Sequence, residues 1–175
     1  MSEREFDGLV ALRQMPQRGM ITLRGDLNSA AMKKAVGTVP GQGMCTGGVA
    51  WMSPDELLIM CPHEALEDRL ADLRKALAGT HHLIQDVSDA RAIFALEGDA
   101  SREVLAKLCP VDLRPGAFEP GRFRRTRMAQ VPCAFWMEGE LRFEVVVFAS
   151  VADYAWTLLK NAADTSATVG HFSPR

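Results

Sequence analysis

The sequence lacks a strong charge of either sign, and this narrows the possible partners. Its 175 residues carry 20 Lys and Arg against 22 Asp and Glu, a formal net charge of −2. A nucleic-acid-binding domain normally shows a clear basic excess. The amino-terminal segment has no apolar run of signal-peptide length, and no segment is apolar over the length needed to span a bilayer. We therefore expect a cytoplasmic protein that binds neither nucleic acid nor membrane.

Metal-ligand and disulfide spacings are also absent. The four cysteines are far apart and form no Cys-x-x-Cys pair, so zinc-ribbon and thioredoxin-type motifs are excluded. We expect reduced, mostly buried thiols. Adjacent histidines on a strand point to opposite faces, which is poor geometry for a shared metal, so no metal site is predicted. These residues are Cys45, Cys61, Cys109, Cys133, His63, His81, His82 and His171.

Catalytic motifs are missing as well. The sequence has no Gly-x-Ser-x-Gly elbow, no His-Glu-x-x-His motif and no dinucleotide-binding fingerprint. Asp86 and Asp89 could form an acid and base pair, but they border a predicted turn, where aspartate is common for structural reasons. We interpret both as turn residues, and no catalytic or cofactor-binding residue is assigned.

What the chain does have is a pattern that occurs twice. GMITLRGDLNSAAMKKAVG, from Gly19 to Gly37, is an apolar run, a Gly-Asp pair and a helical segment, and DVSDARAIFALEGDASREVLAKLCPVDL, from Asp86 to Leu113, has the same order. In both halves a loop, a pair of strands and a second helix are predicted to follow. The spacing indicates two pseudo-repeats, about 19–87 and 91–169, in a single domain spanning 1–175. Chance similarity between two generic halves stays open as the alternative.

Local signals place the individual elements. In the first half they predict a hairpin of Val49–Met52 and Glu56–Met60, a helix that buries leucines, and a strand over His82–Val87. The leucines are Leu66, Leu70, Leu73 and Leu77. In the second half they predict the strands 92–97, 123–131, 133–137 and 141–148. Asp99 is the predicted N-cap of one helix there, and Ser150 and Asp153 form a predicted capping pair for the last helix. The expected class is α+β, a duplicated unit with antiparallel sheets flanked by helices.

The segment RFRRTR is the sharpest charge cluster in the sequence. An edge strand that carries charge to prevent aggregation would explain it. A surface that binds an anionic partner would explain it equally well, because each guanidinium can hold a carboxylate with two hydrogen bonds. We name Arg122, Arg124, Arg125 and Arg127 as a hypothetical partner interface.

Several phrases carry a resemblance to a known family. DVSDARAIFALEG, VLAKLCPVDL, RFRRTRMAQVP, FEVVVFASVADYAWTLL and AWMSPDELLIM make the chain, from about Gly19 to Ala162, similar to the gamma subunit of heterotetrameric sarcosine oxidase. The resemblance implies the folate-binding fold of the glycine-cleavage aminomethyltransferase. It also implies partners, namely alpha, beta and delta subunits, in a complex that demethylates sarcosine to glycine and passes the one-carbon unit to tetrahydrofolate.

The resemblance implies no cofactor in this chain. FAD, FMN, NAD and tetrahydrofolate are expected in the alpha and beta subunits or between them, and zinc in delta. Two functional hypotheses follow: a non-catalytic subunit that supports assembly of the complex, and a free-standing folate-binding or aminomethyltransferase-like protein. The second would require a carboxylate to hold the pterin, and the sequence leaves open whether Asp86 or Asp89 could do so.

Overall fold

A computed structural model describes residues 4–172, and helices alternate with strands along this range. The strands are β1 (Glu5–Asp7), β2 (Ala11–Gln14), β3 (Gly19–Gly25), β4 (Cys45–Thr46), β5 (Val49–Ser53), β6 (Glu56–Cys61), β7 (His82–Asp86), β8 (Arg91–Glu97), β9 (Phe123–Met128), β10 (Val131–Gly139) and β11 (Arg142–Phe148). The helices are α1 (Ala30–Val36), α2 (Leu66–Ala76), α3 (Ser101–Ala106) and α4 (Ala152–Ala162). In the described range, no helix has the length and apolar character needed to cross a membrane.

The chain divides into two compact units. One contains Gln17–Asp89, and the other contains the residues up to Pro16 together with those from Ala90 onward. Each unit has one sheet with antiparallel pairing throughout, and helices occur in both. The predicted α+β class with antiparallel sheets and helices is confirmed.

The unit Gln17–Asp89 is built on a five-stranded sheet with the order β4-β5-β6-β3-β7. The predicted hairpin forms between β5 and β6, where the Ser53 hydroxyl donates a 2.6 Å hydrogen bond to Asp55. The four predicted leucines of the α2 region are at most 5% exposed and pack with β3 and β6 residues in one core. Full burial of a leucine side chain contributes roughly 1.5–3 kcal/mol, so this stripe holds the helix on the sheet.

The other unit is built on a six-stranded sheet with the order β1-β2-β8-β11-β10-β9. One face of the sheet carries Phe135 and Phe143, both fully buried, and Phe118 from the 110–121 loop packs against them. The ring centroids of Phe118 and Phe135 lie 5.3 Å apart in a tilted arrangement. Aromatic pairs in this geometry add to the stabilisation from burial. The contacts of Phe118 with Phe135 and Phe143 hold the 110–121 loop against the sheet.

The two sheets share an order of strands. β4-β5-β6-β3-β7 in one unit corresponds to β9-β10-β11-β8-β2 in the other. In the five-stranded sheet the fifth position is filled by β7, which follows the other four strands in sequence. In the six-stranded sheet it is filled by β2, which precedes them in sequence. The order of strand, helix, hairpin and helix predicted for each half is present. That both halves arose by duplication within a single domain stays a prediction.

Several local predictions are wrong. Asp99 does not cap α3, whose N-cap position is Ala100, and the Ser101 hydroxyl instead donates to the Gly98 carbonyl. The predicted pair of Ser150 and Asp153 does not cap α4 either, because its N-cap position, Val151, makes no side-chain capping hydrogen bond. Capping prediction fails here because short 3₁₀ or turn residues precede both helices and shift where they begin.

Strand boundaries also differ from the prediction. The strand expected over 123–131 ends at Met128, and the chain turns at Ala129 and Gln130 before β10. Ala129 has a φ of 48°, in the left-handed region that residues with a Cβ rarely adopt. β1, β2 and β4 were not predicted, because each is only two to four residues long and carries too little periodicity.

Candidate functional site

The arginine-rich segment forms the outer strand of the six-stranded sheet. β9 lies at the edge, and β10 is its one neighbour among the described strands. The Met137 N–H donates a 3.1 Å hydrogen bond to the Arg122 carbonyl, which fixes how the pairing with β10 begins. Because backbone groups alternate in direction along a strand, half of those in β9 point away from the sheet. The predicted edge position is thus what the structure shows.

The four arginines do not share one face. Arg124 is paired with Phe135, whose side chain belongs to the aromatic core, whereas Arg125 and Arg127 are paired with Ala134 and Pro132. Directly paired residues lie on the same face of a sheet, and successive residues lie on opposite faces. Arg124 therefore projects from the core side, and Arg125 and Arg127 project from the other side.

The charges of β9 are mostly not neutralised within the chain. Arg122, Arg124 and Arg127 are exposed, and within residues 4–172 their side chains make no ion pair or hydrogen bond. Arg125 differs, because it takes part in an interaction of its own. Other arginines of the chain hold carboxylates; among them are Arg13, Arg24, Arg114 and Arg142. A guanidinium without a carboxylate is available to one from another molecule.

The two candidate carboxylates are engaged in local structure. Asp86 accepts hydrogen bonds from the Ser88 hydroxyl at 2.6 Å and the Ser88 N–H at 2.9 Å. These bonds from Ser88 lower the pKa of Asp86, so the group is a carboxylate near neutral pH. Asp89 accepts a hydrogen bond from the Gln17 side chain. The interpretation as turn residues holds for Asp89, which lies in the turn before β8, whereas Asp86 is the last residue of β7 and stabilises that turn through Ser88.

A buried carboxylate that the sequence analysis missed lies in α3. Glu103 is 7% exposed and accepts hydrogen bonds from three consecutive backbone N–H groups, those of Val169, Gly170 and His171, at 2.8–3.2 Å. Its carboxylate lies 3.3 Å from the Lys107 ammonium, which also donates to the carbonyl of Ala167 at 2.6 Å. Glu103 therefore anchors the last described residues onto α3.

The electrostatics of Glu103 follow from these contacts. Burial raises the pKa of its carboxyl group, but the hydrogen bonds from Val169 and Gly170 and the charge of Lys107 outweigh that effect, so the pKa is lowered. A cavity of about 550 Å³ lies beside it, with Cys109, Leu113 and Phe172 among its lining residues. Glu103 and Lys107 are both engaged by other groups of the chain, so their role is structural. The rest of the cavity lining is mainly apolar.

No metal cluster is found among residues 4–172, where no group of three or more His, Cys, Asp and Glu side chains is placed to hold an ion. The four cysteines are in the thiol form, without disulfides. Cys109 and Cys133 are buried, whereas Cys45 and Cys61 are half-buried. The expectation of mostly buried thiols thus holds for two of the four residues.

We expect the thiols to react in two classes. A hydrogen bond with Cys133 and burial raise the pKa of Cys109, and burial raises that of Cys61, so little reactive thiolate forms at either. Titration of the native chain with a thiol reagent should modify Cys45 first, and Cys109 and Cys133 only after denaturant is added. Rapid modification of Cys109 or Cys133 in the folded protein, identified by peptide mass, would contradict this assignment.

The fold is of the kind found in an aminomethyltransferase. The structure resembles the glycine cleavage system aminomethyltransferase T from Bartonella henselae with a TM-score of 0.63, over 83% of this chain and 44% of that one. Sequence identity in this comparison is 14%, so it shows the fold alone. The resemblance in fold that the sequence analysis implied is confirmed.

Comparison at higher identity identifies the family. The model of the sarcosine oxidase, gamma subunit family matches residues 29–165. Sarcosine oxidase subunit gamma from Corynebacterium sp. (strain P-1) is 33% identical, over 88% of this chain and 80% of the relative, and that from Arthrobacter sp. is 33% identical over 83% and 76%. The chain belongs to the sarcosine oxidase gamma subunit family.

The same relationship holds in three dimensions. A chain of heterotetrameric sarcosine oxidase from Corynebacterium sp. U-96, solved in complex with pyrrole 2-carboxylate, matches with a TM-score of 0.85. The sequences are 29% identical, and the match covers 94% of this chain and 90% of that chain. The correspondence therefore extends over both compact units.

Proposed function

We propose that this chain is a non-catalytic gamma subunit that supports assembly of a heterotetrameric sarcosine oxidase with alpha, beta and delta subunits. The observation that carries the proposal is the TM-score of 0.85 over 94% of the chain against a chain of such a complex. The complex would oxidatively demethylate sarcosine to glycine and transfer the one-carbon unit to tetrahydrofolate. FAD, FMN, NAD and tetrahydrofolate would act in the other subunits.

The contacts of the carboxylates in the described part of the chain support a non-catalytic role. Asp86, Asp89 and Glu103 are each engaged by groups of the chain itself. General acid–base catalysis requires a titratable group within hydrogen-bond reach of a substrate. These three carboxylates are instead used to hold turns and the carboxyl-terminal segment, which is the expected arrangement in a subunit that contributes surface and stability.

The surface that fits this role is β9. An edge strand with exposed arginines can contact carboxylates on a partner and can add main-chain hydrogen bonds to it. Arg122, Arg124 and Arg127 have no carboxylate partner within residues 4–172. The docking role is proposed for the face of Arg127, and Arg124, which projects from the opposite face, is not included in it. Arg125, which the sequence analysis grouped with them, contributes less to docking in this proposal because it is engaged within the chain.

The isolated chain is expected to be colourless and inactive with sarcosine. It offers no assigned flavin site, and the flavins of the proposed complex belong to other subunits. The pure chain should show no visible absorption and release no hydrogen peroxide from sarcosine, while the intact complex shows both. Stoichiometric flavin on the pure chain, or peroxide production by it, would contradict the proposal.

The alternative function, a free-standing folate-binding protein, can be tested by purifying the chain from its native cell. If a tagged chain is purified from its native cell alone, without flavin-containing partners, and binds tetrahydrofolate in equilibrium dialysis, that alternative is supported. Copurification of flavoprotein subunits in equal amounts supports the assembly role. The likeness to aminomethyltransferase T does not favour the alternative, because it shows the fold alone.

A further inference from the structure

A row of side chains, three exposed and one half-buried, crosses the six-stranded sheet next to the end of β9. In the register, Arg127 is paired with Pro132, and Phe148 is paired with Arg91. Because Cys133 is paired with Val147, Pro132 and Phe148 are neighbours on the same face. We call these four residues, Arg127, Pro132, Phe148 and Arg91, the Phe148 strip.

The strip combines an aromatic ring with guanidinium groups. Phe148 is 42% exposed, and the Arg91 Cζ lies 4.1 Å from its ring centroid. This is close enough for a cation–π interaction, which holds the ring and the guanidinium together. At the other end, Arg127 is exposed and makes no side-chain hydrogen bond or ion pair within residues 4–172.

On three of the four strands, exposure begins at this row. The next row on the same face contains Ile93, Val146 and Ala134, which are at most 3% exposed, together with Arg125 of β9, which is exposed. The strip therefore brings the Phe148 ring, Pro132 and the Arg127 guanidinium to solvent, and Arg91 is half-buried against the ring. Arginine and aromatic residues are enriched where protein interfaces are anchored, and a carboxylate is the matching group for an unpaired guanidinium.

Arg124 provides the contrast on the opposite face. It is exposed, but its register neighbour Phe135 is fully buried in the aromatic core. Arg124 consequently offers charge without an exposed apolar partner beside it. Of the two faces of β9, the face of Arg127 is the one that joins charge to apolar surface.

We propose that the Phe148 strip docks a segment of another subunit that carries an Asp or Glu carboxylate opposite Arg127 and an apolar side chain against Phe148 and Pro132. This inference rests on the proposed function, since it names the surface through which the subunit assembles. Within residues 4–172 the chain supplies carboxylates to Arg13, Arg24, Arg114 and Arg142 but not to Arg127. Arg127 shares this property with Arg122 and Arg124, and what distinguishes it is the exposed apolar surface of Pro132 and Phe148 beside it.

Competition for incorporation tests the proposal in the complete complex. Wild-type and variant chains with different affinity tags are co-expressed with the other subunits, and the ratio of the two tags in the purified complex is measured. We expect Arg127→Glu to be at least about tenfold depleted, because an interfacial charge is reversed against a carboxylate. Phe148→Ala should be depleted about fivefold through loss of an apolar anchor. Arg124→Glu should remain within about twofold of wild type, and no larger effect is expected at a charge outside the contact.

The matched pair separates the possible outcomes. Arg127→Glu and Arg124→Glu make the same charge change on the same exposed strand, so their difference reports the face that docks. Equal depletion of both, or normal incorporation of both Arg127→Glu and Phe148→Ala, overturns the strip while the assembly role stands. Failure of the wild-type chain to copurify with any subunit overturns the proposed function instead. Circular dichroism and melting temperature verify that each variant folds, and Arg127→Gln replaces Arg127→Glu if the latter does not.

Discussion

Replacing Glu103 by alanine is expected to lower the free energy of unfolding by about 3 kcal/mol, because it leaves three backbone N–H groups and the Lys107 ammonium without their carboxylate. The side chain is buried, so solvent does not screen the loss. Urea unfolding followed by circular dichroism measures the change. Glu140→Ala, at an exposed turn residue, is the matched control and should change stability by less than about 0.5 kcal/mol.

The same carboxylate gives the stability a pH dependence. The pKa of Glu103 is lower in the folded chain than in the unfolded chain, so the unfolded state binds more protons as the pH falls. The stabilisation is present above the unfolded pKa and is lost as the pH falls through the folded pKa. Glu103→Gln should therefore lose less stability than wild type between about pH 6 and pH 3. Equal losses in both proteins would show that Glu103 does not carry the effect.

Replacing Phe135 by alanine is expected to destabilise the chain by about 3–5 kcal/mol. The side chain is fully buried, and its ring centroid lies 5.3 Å from that of Phe118 and 6.3 Å from that of Phe143. Truncation removes apolar burial and leaves a cavity that the rigid sheet cannot fill. Thermal and urea unfolding both measure the change.

Phe148→Ala is the control for this substitution. Phe148 is 42% exposed, and its contact with Arg91 is worth about 0.5–1 kcal/mol, so the change in stability should stay near 1 kcal/mol. A loss for Phe148→Ala as large as that for Phe135→Ala would mean that the strip is part of the folding core. The same variant would then be unsuitable as a probe of docking.

The elements with strong local periodicity could be predicted from the sequence. The hairpin around Ser53 and Asp55, the leucines of the α2 region and the apolar run of β11 all have patterns set by neighbours in sequence. β2 could not be predicted, since it is stabilised by pairing with β8, about eighty residues further along the chain, instead of by its own pattern.

The turn at Ser88 and Asp89 illustrates a second limit of prediction from sequence. A turn between two strands was predicted there and is present, but β7 and β8 belong to different sheets and do not pair with each other. The local signal of the turn residues is the same whether the flanking strands pair or separate. Assignment of the strands to sheets depends on long-range contacts, which the sequence pattern does not encode locally.

The candidate site was predictable in part. The density of arginine between Arg122 and Arg127 indicated an edge strand, and the strand lies at the edge. Strand alternation alone separates Arg124 from Arg127. Which side chains lie beside Arg127 was not predictable, because Pro132 and Phe148 are brought there by the turn at Ala129 and by the registers of β9, β10 and β11. Glu103 was missed because its three N–H partners lie 66 to 68 residues away in sequence.

The composition of the complex purified through this chain tests the central claim most directly. A tagged chain is expressed in cells that produce the whole enzyme, and the purified material is examined by native mass spectrometry and visible absorption. The account predicts one assembly of four different subunits that contains this chain once and shows flavin absorption. A colourless chain that elutes alone, at the mass of the single polypeptide, while flavin-dependent sarcosine oxidation is recovered in full in the unbound fraction, would contradict it.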